Sequence, residues 1–236
     1  MTDRIRETLS SNRRRIQDRI AAACARAGRD PGTVRTVAVT KSAALETVRA
    51  LADLGVRDLA ENRVQAIEER ARALGPGPVW HLVGTLQTNK VRKALPWADW
   101  IHSVDRLSLA ETLAAAGEAS GRRPVLLVEV NAGGEASKQG ADPDDAEGLI
   151  AGIRNRFPSL RVEGLMTMAP LADDPERSRP VFARLRDLRD RLRDRTGLPL
   201  AELSMGMTQD YPVAVGEGAT LLRIGRAFFE GVPCRD

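Results

Sequence analysis

The sequence predicts a single (β/α)8 barrel of the TIM type, preceded by an extra N-terminal helix. Eight short runs of β-forming apolar residues alternate with amphipathic helical segments, one pair every ~25 residues along a 236-residue chain. Several runs, such as VLLVEV at 125–130, are apolar almost without interruption, as parallel strands buried on both faces are. The competing arrangement, a doubly wound open sheet, would place a glycine-rich phosphate turn after its first strand, and TKSAAL at 40–45 has no glycine.

Along the chain, residues 3–27 carry Ile5, Leu9, Ile16, Ile20, Cys24 and Ala27 at spacings that share one helix face, and Gly28 ends the pattern. Strands are expected near 35–40, 57–60, 79–85, 99–103, 124–131, 161–167, 200–204 and 220–224. Amphipathic helices fall near 44–55, 62–74, 88–95, 106–120, 142–155, 175–195 and 208–217, several closed by Gly55, Gly75, Gly121 or Gly197. No linker divides the series, so residues 1–236 read as one domain with the 1–28 helix packed on the barrel.

Composition narrows the classes of function. A hydrophobic content of 42% supports a large core. No stretch approaches the ~20 apolar residues of a membrane span, and charges stand where a signal peptide is apolar, so no membrane partner and a cytoplasmic location are expected. Cys24 and Cys234 have no metal or disulfide spacing. The net charge of +4 raises nucleic acid as a partner, yet the arginines interleave with acids, as in RLRDLRDRLRDR at 184–195, and NKVRK at 89–93 lacks aromatic stacking residues. A solvated helix face is the simpler reading, and no nucleic acid is expected.

In such barrels chemistry sits where strands end. The first strand ends on Thr40 and Lys41, the second on Glu61 and Asn62. A lysine at the barrel mouth is expected to be partly desolvated, which lowers its pKa and frees its amine to attack an aldehyde. By itself such a lysine more often reaches out to water. The last two strand ends shift the balance, because LSMGMT (203–208) and LLRIGRAF (221–228) each offer a glycine leading into a helix, and the paired loops after strands 7 and 8 are the recurring phosphate site of this fold. Arg223, predicted to point inward, suits a ring nitrogen. An aldehyde-capturing lysine, a phosphate cradle and a pyridine partner together describe pyridoxal 5′-phosphate, PLP.

Taken in order, AVTKSAALE, AENRVQ, HLVGTLQTNK, IHSVDR, EVNAGGEASKQG, GLMTMAP, LSMGMTQDY and GATLLRIGRAFFEG resemble the pyridoxal phosphate homeostasis proteins, whose fold is like the N-terminal barrel of alanine racemase. The resemblance covers nearly the whole chain. It implies that Lys41 carries the cofactor as a Schiff base and that Asn62 lies near it. It implies further that Arg223 faces the pyridine nitrogen, and that Ser204, Gly206, Met207, Thr208, Gly225 and Arg226 surround the phosphate. Three positions depart from the family pattern. Ala60 replaces the usual glycine before Glu-Asn, Thr208 replaces a serine but keeps the hydroxyl, and Arg226 replaces a small hydroxyl residue, leaving its backbone N–H.

Racemisation requires a base on each face of the substrate carbanion, and in alanine racemase one is a tyrosine from a second domain of the partner subunit. The only tyrosine of this chain, Tyr211, is expected to pack in the first turn of the helix after strand 7. An arginine at the ring nitrogen also disfavours its protonation and weakens the electron sink. The expected role is therefore a non-enzymatic PLP carrier that supplies PLP-dependent apo-enzymes, with a slow amino-acid racemase as the alternative. The family prior favours a monomer. No metal site is expected at His81 and His102, which lack ligand spacing and read as hydrogen-bonded barrel residues, with His81 bordering the cofactor at most. Lys138, Lys90 and Lys93 read first as solvated lysines, and Met166, Met168, Met205 and Met207 as packing.

Overall fold

The computed structural model describes residues 2–135 and 139–233; Lys138 and Cys234 lie outside them. Helix α1 (Thr2–Ala27) runs into β1 (Arg35–Val39), α2 (Leu45–Asp53), β2 (Asp58–Glu61), α3 (Val64–Leu74) and β3 (Val79–Leu82). Then follow α4 (Val91–Ala94), β4 (Trp100–Val104), α5 (Leu107–Ser120), β5 (Val125–Glu129), α6 (Ala146–Arg156) and β6 (Arg161–Met166). The chain continues with α7 (Arg179–Thr196), β7 (Glu202–Ser204), α8 (Tyr211–Gly216), β8 (Leu221–Ile224) and α9 (Arg226–Phe229). The strands form a closed parallel barrel in sequence order, with β8 returning to pair with β1 from Arg35↔Leu221 to Ala38↔Ile224.

The expected elements recur with instructive differences at their ends. Strand β5 stops at Glu129, although the apolar run continues, because Val130, whose N–H still donates to the Met166 carbonyl at 2.8 Å, makes an isolated bridge to Ala141 in place of a further register pair with β6. The helical pattern at 175–195 opens as a 3-10 turn, Pro175–Ser178, whose Asp174 cap accepts from Glu176 N–H at 3.0 Å, and becomes α-helical only from Arg179. Helix α9 is four residues long, too short to register as periodicity.

Period-2 alternation divides the apolar residues between two cores. The strands' outward side chains meet the helices in one large cluster that includes Leu59, Ile101, Leu126 and Leu203. The inward set is small: Val37, Ala60, Leu127, Met166 and Leu221, with Val39, Val83 and Trp100 against them. Helix α1 belongs to the outer cluster through Ile5, Leu9, Ile16, Ile20 and Cys24. At ~1.5–3 kcal/mol for each large apolar side chain, that face holds the helix on the barrel. Asn12, buried in the same face, donates to the carbonyls of Phe228 (2.9 Å) and Glu230 (2.8 Å) and so ties α1 to the chain leaving α9. On α7 the apolar stripe Phe182, Leu185, Leu188 and Leu192 is buried while Arg186, Arg189 and Arg195 pair with neighbouring carboxylates, the solvated face expected of that arginine-rich run. No helix among the described residues is long and apolar enough to cross a membrane.

Candidate cofactor-binding site

Lys41 follows Val39 by two residues, past the end of β1, on a turn spanning Lys41 and Ser42. It is exposed. The expectation that the barrel walls desolvate its amine is therefore corrected: the β1 ladder stops at Val39, and the turn lifts the lysine above the packed interior. With Asn62, also exposed, it lines a cavity of about 430 Å³ shared with Glu61, Arg63, Gln65, Ala66 and Glu69.

The turn is anchored from both sides. Thr40 Oγ1 donates to Glu61 Oε1 at 2.5 Å, Arg70 Nε lies 2.8 Å from the same carboxylate oxygen, and Arg70 Nη2 donates to the Ala43 carbonyl at 2.8 Å. The Arg70 and Glu61 side chains are 5% and 1% exposed, so a buried ion pair grips the residues flanking Lys41. Sequence reasoning missed Arg70. Its signal was an arginine in the apolar register of α3, three residues after Ile67 and six after Val64, all three buried.

Arg223 stands inward on β8 and is 4% exposed. Its Nη1 donates to Ser204 Oγ at 2.6 Å and its Nη2 to the Thr167 carbonyl at 2.8 Å. Burial lowers its pKa to about 10, against the charges of Glu129 and Asp210, which leaves it a cation at neutral pH. Burial raises the nearby Glu129 to about 7, with Arg223 opposing.

The other candidates gather in the loops after β7 and β8, where their groups differ in availability. Gly206 has φ +91°, and a Cβ there would lie 2.5 Å from the Ala214 Cβ, so the chain itself requires this glycine. The Met207 N–H is already committed, donating to Asp210 Oδ1 at 2.6 Å. Thr208 Oγ1 accepts from Ala227 N–H at 3.3 Å, which stitches the two loops together. Ser204 is fully buried, its hydroxyl held between Arg223 and His102. Arg226 is exposed, and its N–H, first in α9, has no intrahelical acceptor. Gly225 has an ordinary φ of −107°, and a Cβ there would touch only Val39, at 3.4 Å from its carbonyl oxygen, so packing does not demand a glycine. Its missing side chain leaves open space beside the loop amides.

Below the rim, a line of hydrogen bonds crosses the barrel interior. Ser204 Oγ is 2.9 Å from His102 Nδ1, His102 Nε2 is 2.9 Å from His81 Nδ1, and His81 Nε2 is 2.9 Å from Asp58 Oδ1. Both imidazoles are buried, as the sequence reading of hydrogen-bonded barrel residues anticipates. Burial pushes His81 down, partly opposed by Asp58, and pushes His102 well down. Burial alone would raise Asp58, but the hydrogen bond and charge of His81, together with the charge of Arg35, outweigh it and lower its pKa. No cluster of metal-ligating side chains occurs among the described residues. Tyr211 is 1% exposed beneath the Arg19 guanidinium, 5.1 Å from its ring centroid.

The closed parallel barrel carries Lys41 just past its first strand and Arg223 inward on its last, and the family model of the alanine racemase N-terminal domain matches residues 11–233. A pyridoxal phosphate homeostasis protein of Deinococcus radiodurans is 42% identical over 89% of this chain and 95% of its own. The PipY protein of Synechococcus elongatus, solved with PLP bound, superposes with a TM-score of 0.79 at 35% identity, over 91% of this chain and 99% of that one. The chain belongs to the pyridoxal phosphate homeostasis protein family. Alanine racemase of Clostridium difficile shares the fold, with a TM-score of 0.75 at 17% identity, and the match spans 57% of that chain.

Proposed function

We propose that this protein binds pyridoxal 5′-phosphate through Lys41 and holds and releases it as part of cellular PLP homeostasis, without turning over amino acids. The observation that carries this reading is an accessible lysine on an anchored turn just past β1 together with a buried, doubly hydrogen-bonded Arg223 inward on the neighbouring β8. The residues present fit the group. Gly225 leaves space that a Cβ would fill, and the Arg226 N–H and Arg223 are donors of the chemistry a phosphate and a ring nitrogen need. When bound, PLP supplies an aldehyde and an electron-withdrawing pyridine ring.

Lys41 Nζ is the group that holds the aldehyde carbon, and its exposure leaves it open to exchange with other amines. Asn62 lies beside it. Gly206, Thr208, Gly225 and Arg226 form the phosphate cradle. Ser204 and Met207 shape it without donating to it, since the hydroxyl of one and the backbone N–H of the other are engaged within the protein. A charged Arg223 keeps a proton off the ring nitrogen, and Tyr211, 1% exposed under Arg19 in a cavity wall it shares with Thr208 and Arg226, is packed rather than presented as a second base. These features support a carrier over a racemase. The same reading takes residues 1–236 as one domain and the protein as a cytoplasmic monomer that delivers PLP to apo-enzymes.

The deciding experiment adds PLP to the purified protein, records the visible band, reduces with borohydride and maps the labelled peptide. A label at Lys41, lost in Lys41→Ala, is expected; a label elsewhere or no band refutes the reading. Steady inversion of a single amino-acid enantiomer, abolished by Lys41→Ala, would favour the racemase instead.

A further inference from the structure

The interior hydrogen bonds have one self-consistent direction. An ionised Asp58 only accepts, so His81 Nε2 must carry a proton. In a neutral His81 ring, Nδ1 then accepts, so His102 Nε2 carries the proton between the two rings, and His102 Nδ1 is left as an acceptor. Ser204 must turn its own proton onto His102, which presents an oxygen lone pair to Arg223 Nη1. Every donor points from Arg223 toward Asp58, and every group in the line is satisfied. A proton added to either ring reverses the upper half: His102 would donate to Ser204, and its hydroxyl would have to find another acceptor. The line crosses β8, β7, β4, β3 and β2 and ends at the N-terminal rim, where the Asp58 side chain is 22% exposed beside Arg35. Asp99, near His81, and Glu129, near Arg223, complete the charged surroundings.

We propose that His102 is a positioning residue: through the Ser204 hydroxyl it holds the Arg223 guanidinium in one orientation, with an N–H left for the ring nitrogen of the bound cofactor. The inference rests on the PLP-binding reading above. Two of the five guanidinium N–H groups are fixed, by Ser204 and by the Thr167 carbonyl, and only the Ser204 anchor has a direction that can be lost. His81 and Asp58 act one and two links further away by setting the His102 tautomer.

The test is a double-mutant cycle on the full chain loaded with PLP, reading the release rate and the visible absorption maximum. His102→Leu is expected to speed release about tenfold and shift the band, and His102→Asn, whose amide oxygen can accept from Ser204, to restore part of both. In an Arg223→Met background, His102→Leu is expected to change release less than twofold, because a residue acting through Arg223 has nothing left to act on. Equal effects in both backgrounds, or no effect of His102→Leu on either readout in a protein with wild-type circular dichroism, would overturn the proposal. If His102→Leu does not fold, Asp58→Asn decides. It lies about 10 Å of strand away from the mouth, and its amide no longer compels a donor from His81, so a two- to threefold faster release is expected and unchanged release overturns the inference. A wild-type protein that shows no band, or no labelled Lys41, overturns the PLP reading and this inference together.

Discussion

Arg70→Met removes the cation of the buried pair that anchors the Lys41 turn. An exposed pair would be worth less than about 1 kcal/mol. This one is buried on both sides, with side-chain exposures of 5% and 1% and a 2.8 Å contact. Stripping one partner from such a pair costs ~3–5 kcal/mol, because the remaining charge is left without compensation in a poorly solvated site. The Thr40 hydroxyl bonded to Glu61 does not replace a cation. For a chain of this size each kcal/mol moves Tm by ~2–4 °C, so the variant is expected to melt roughly 6–20 °C below wild type. Removing both charges in Arg70→Met/Glu61→Leu should recover part of the loss. The residual deficit is ~2 kcal/mol, shared between the Thr40 hydroxyl, which keeps a weaker bond to the Ala60 carbonyl at 3.2 Å, and the Ala43 carbonyl, which loses its Arg70 donor. Thermal and urea unfolding followed by circular dichroism measure both effects, and amide exchange at residues 40–44 reports the loosened turn. A single mutant within ~2 °C of wild type, or a double mutant no better than the single, would refute the reasoning.

Glu129→Gln isolates a pH dependence. Because its folded pKa is raised from 4.5 to about 7, the native state holds the extra proton, so its stability contribution is complete below pH 4.5 and lost as pH rises through about 7. At ~1.4 kcal/mol per pH unit, wild type should lose about 3 kcal/mol relative to Glu129→Gln between pH 4 and pH 8 in urea titrations. The imidazoles act in the opposite sense. His81 and His102 are depressed by burial, so stability is complete above their ordinary value of 6.5 and falls as pH drops below it, and His102→Asn should flatten that decline in unfolding midpoints between pH 7 and pH 5. Gly206→Ala should cost about 2–5 kcal/mol from its positive φ and the 2.5 Å approach to Ala214. Gly225→Ala, with its nearest approach at 3.4 Å, should cost under about 1 kcal/mol in a melt yet weaken PLP binding in a titration of the visible band.

Strand and helix order were legible in the chain because period and spacing are local properties: all eight expected strands pair in sequence order, and Gly28, Gly121 and Gly197 end α1, α5 and α7 at positive φ. The strand ends placed Lys41 and Asn62 at the mouth and Arg223 inside for the same reason, since alternation counts residues and needs no partner. Local pattern did not reveal whether a group at the mouth is free. The lysine expected in a desolvated niche stands exposed, and Met207, expected among the residues around a phosphate, has its amide held by Asp210. Nor did it join Asp58, His81, His102, Ser204 and Arg223, which lie on five strands as much as 165 residues apart in the chain and meet only when the sheet closes. The sequence by itself determined which elements form and which residues reach the barrel's interior or its mouth. Only the tertiary structure decided which of those residues bond one another, because a hydrogen bond of 2.9 Å between distant strands depends on their register and on barrel closure, which no single segment encodes.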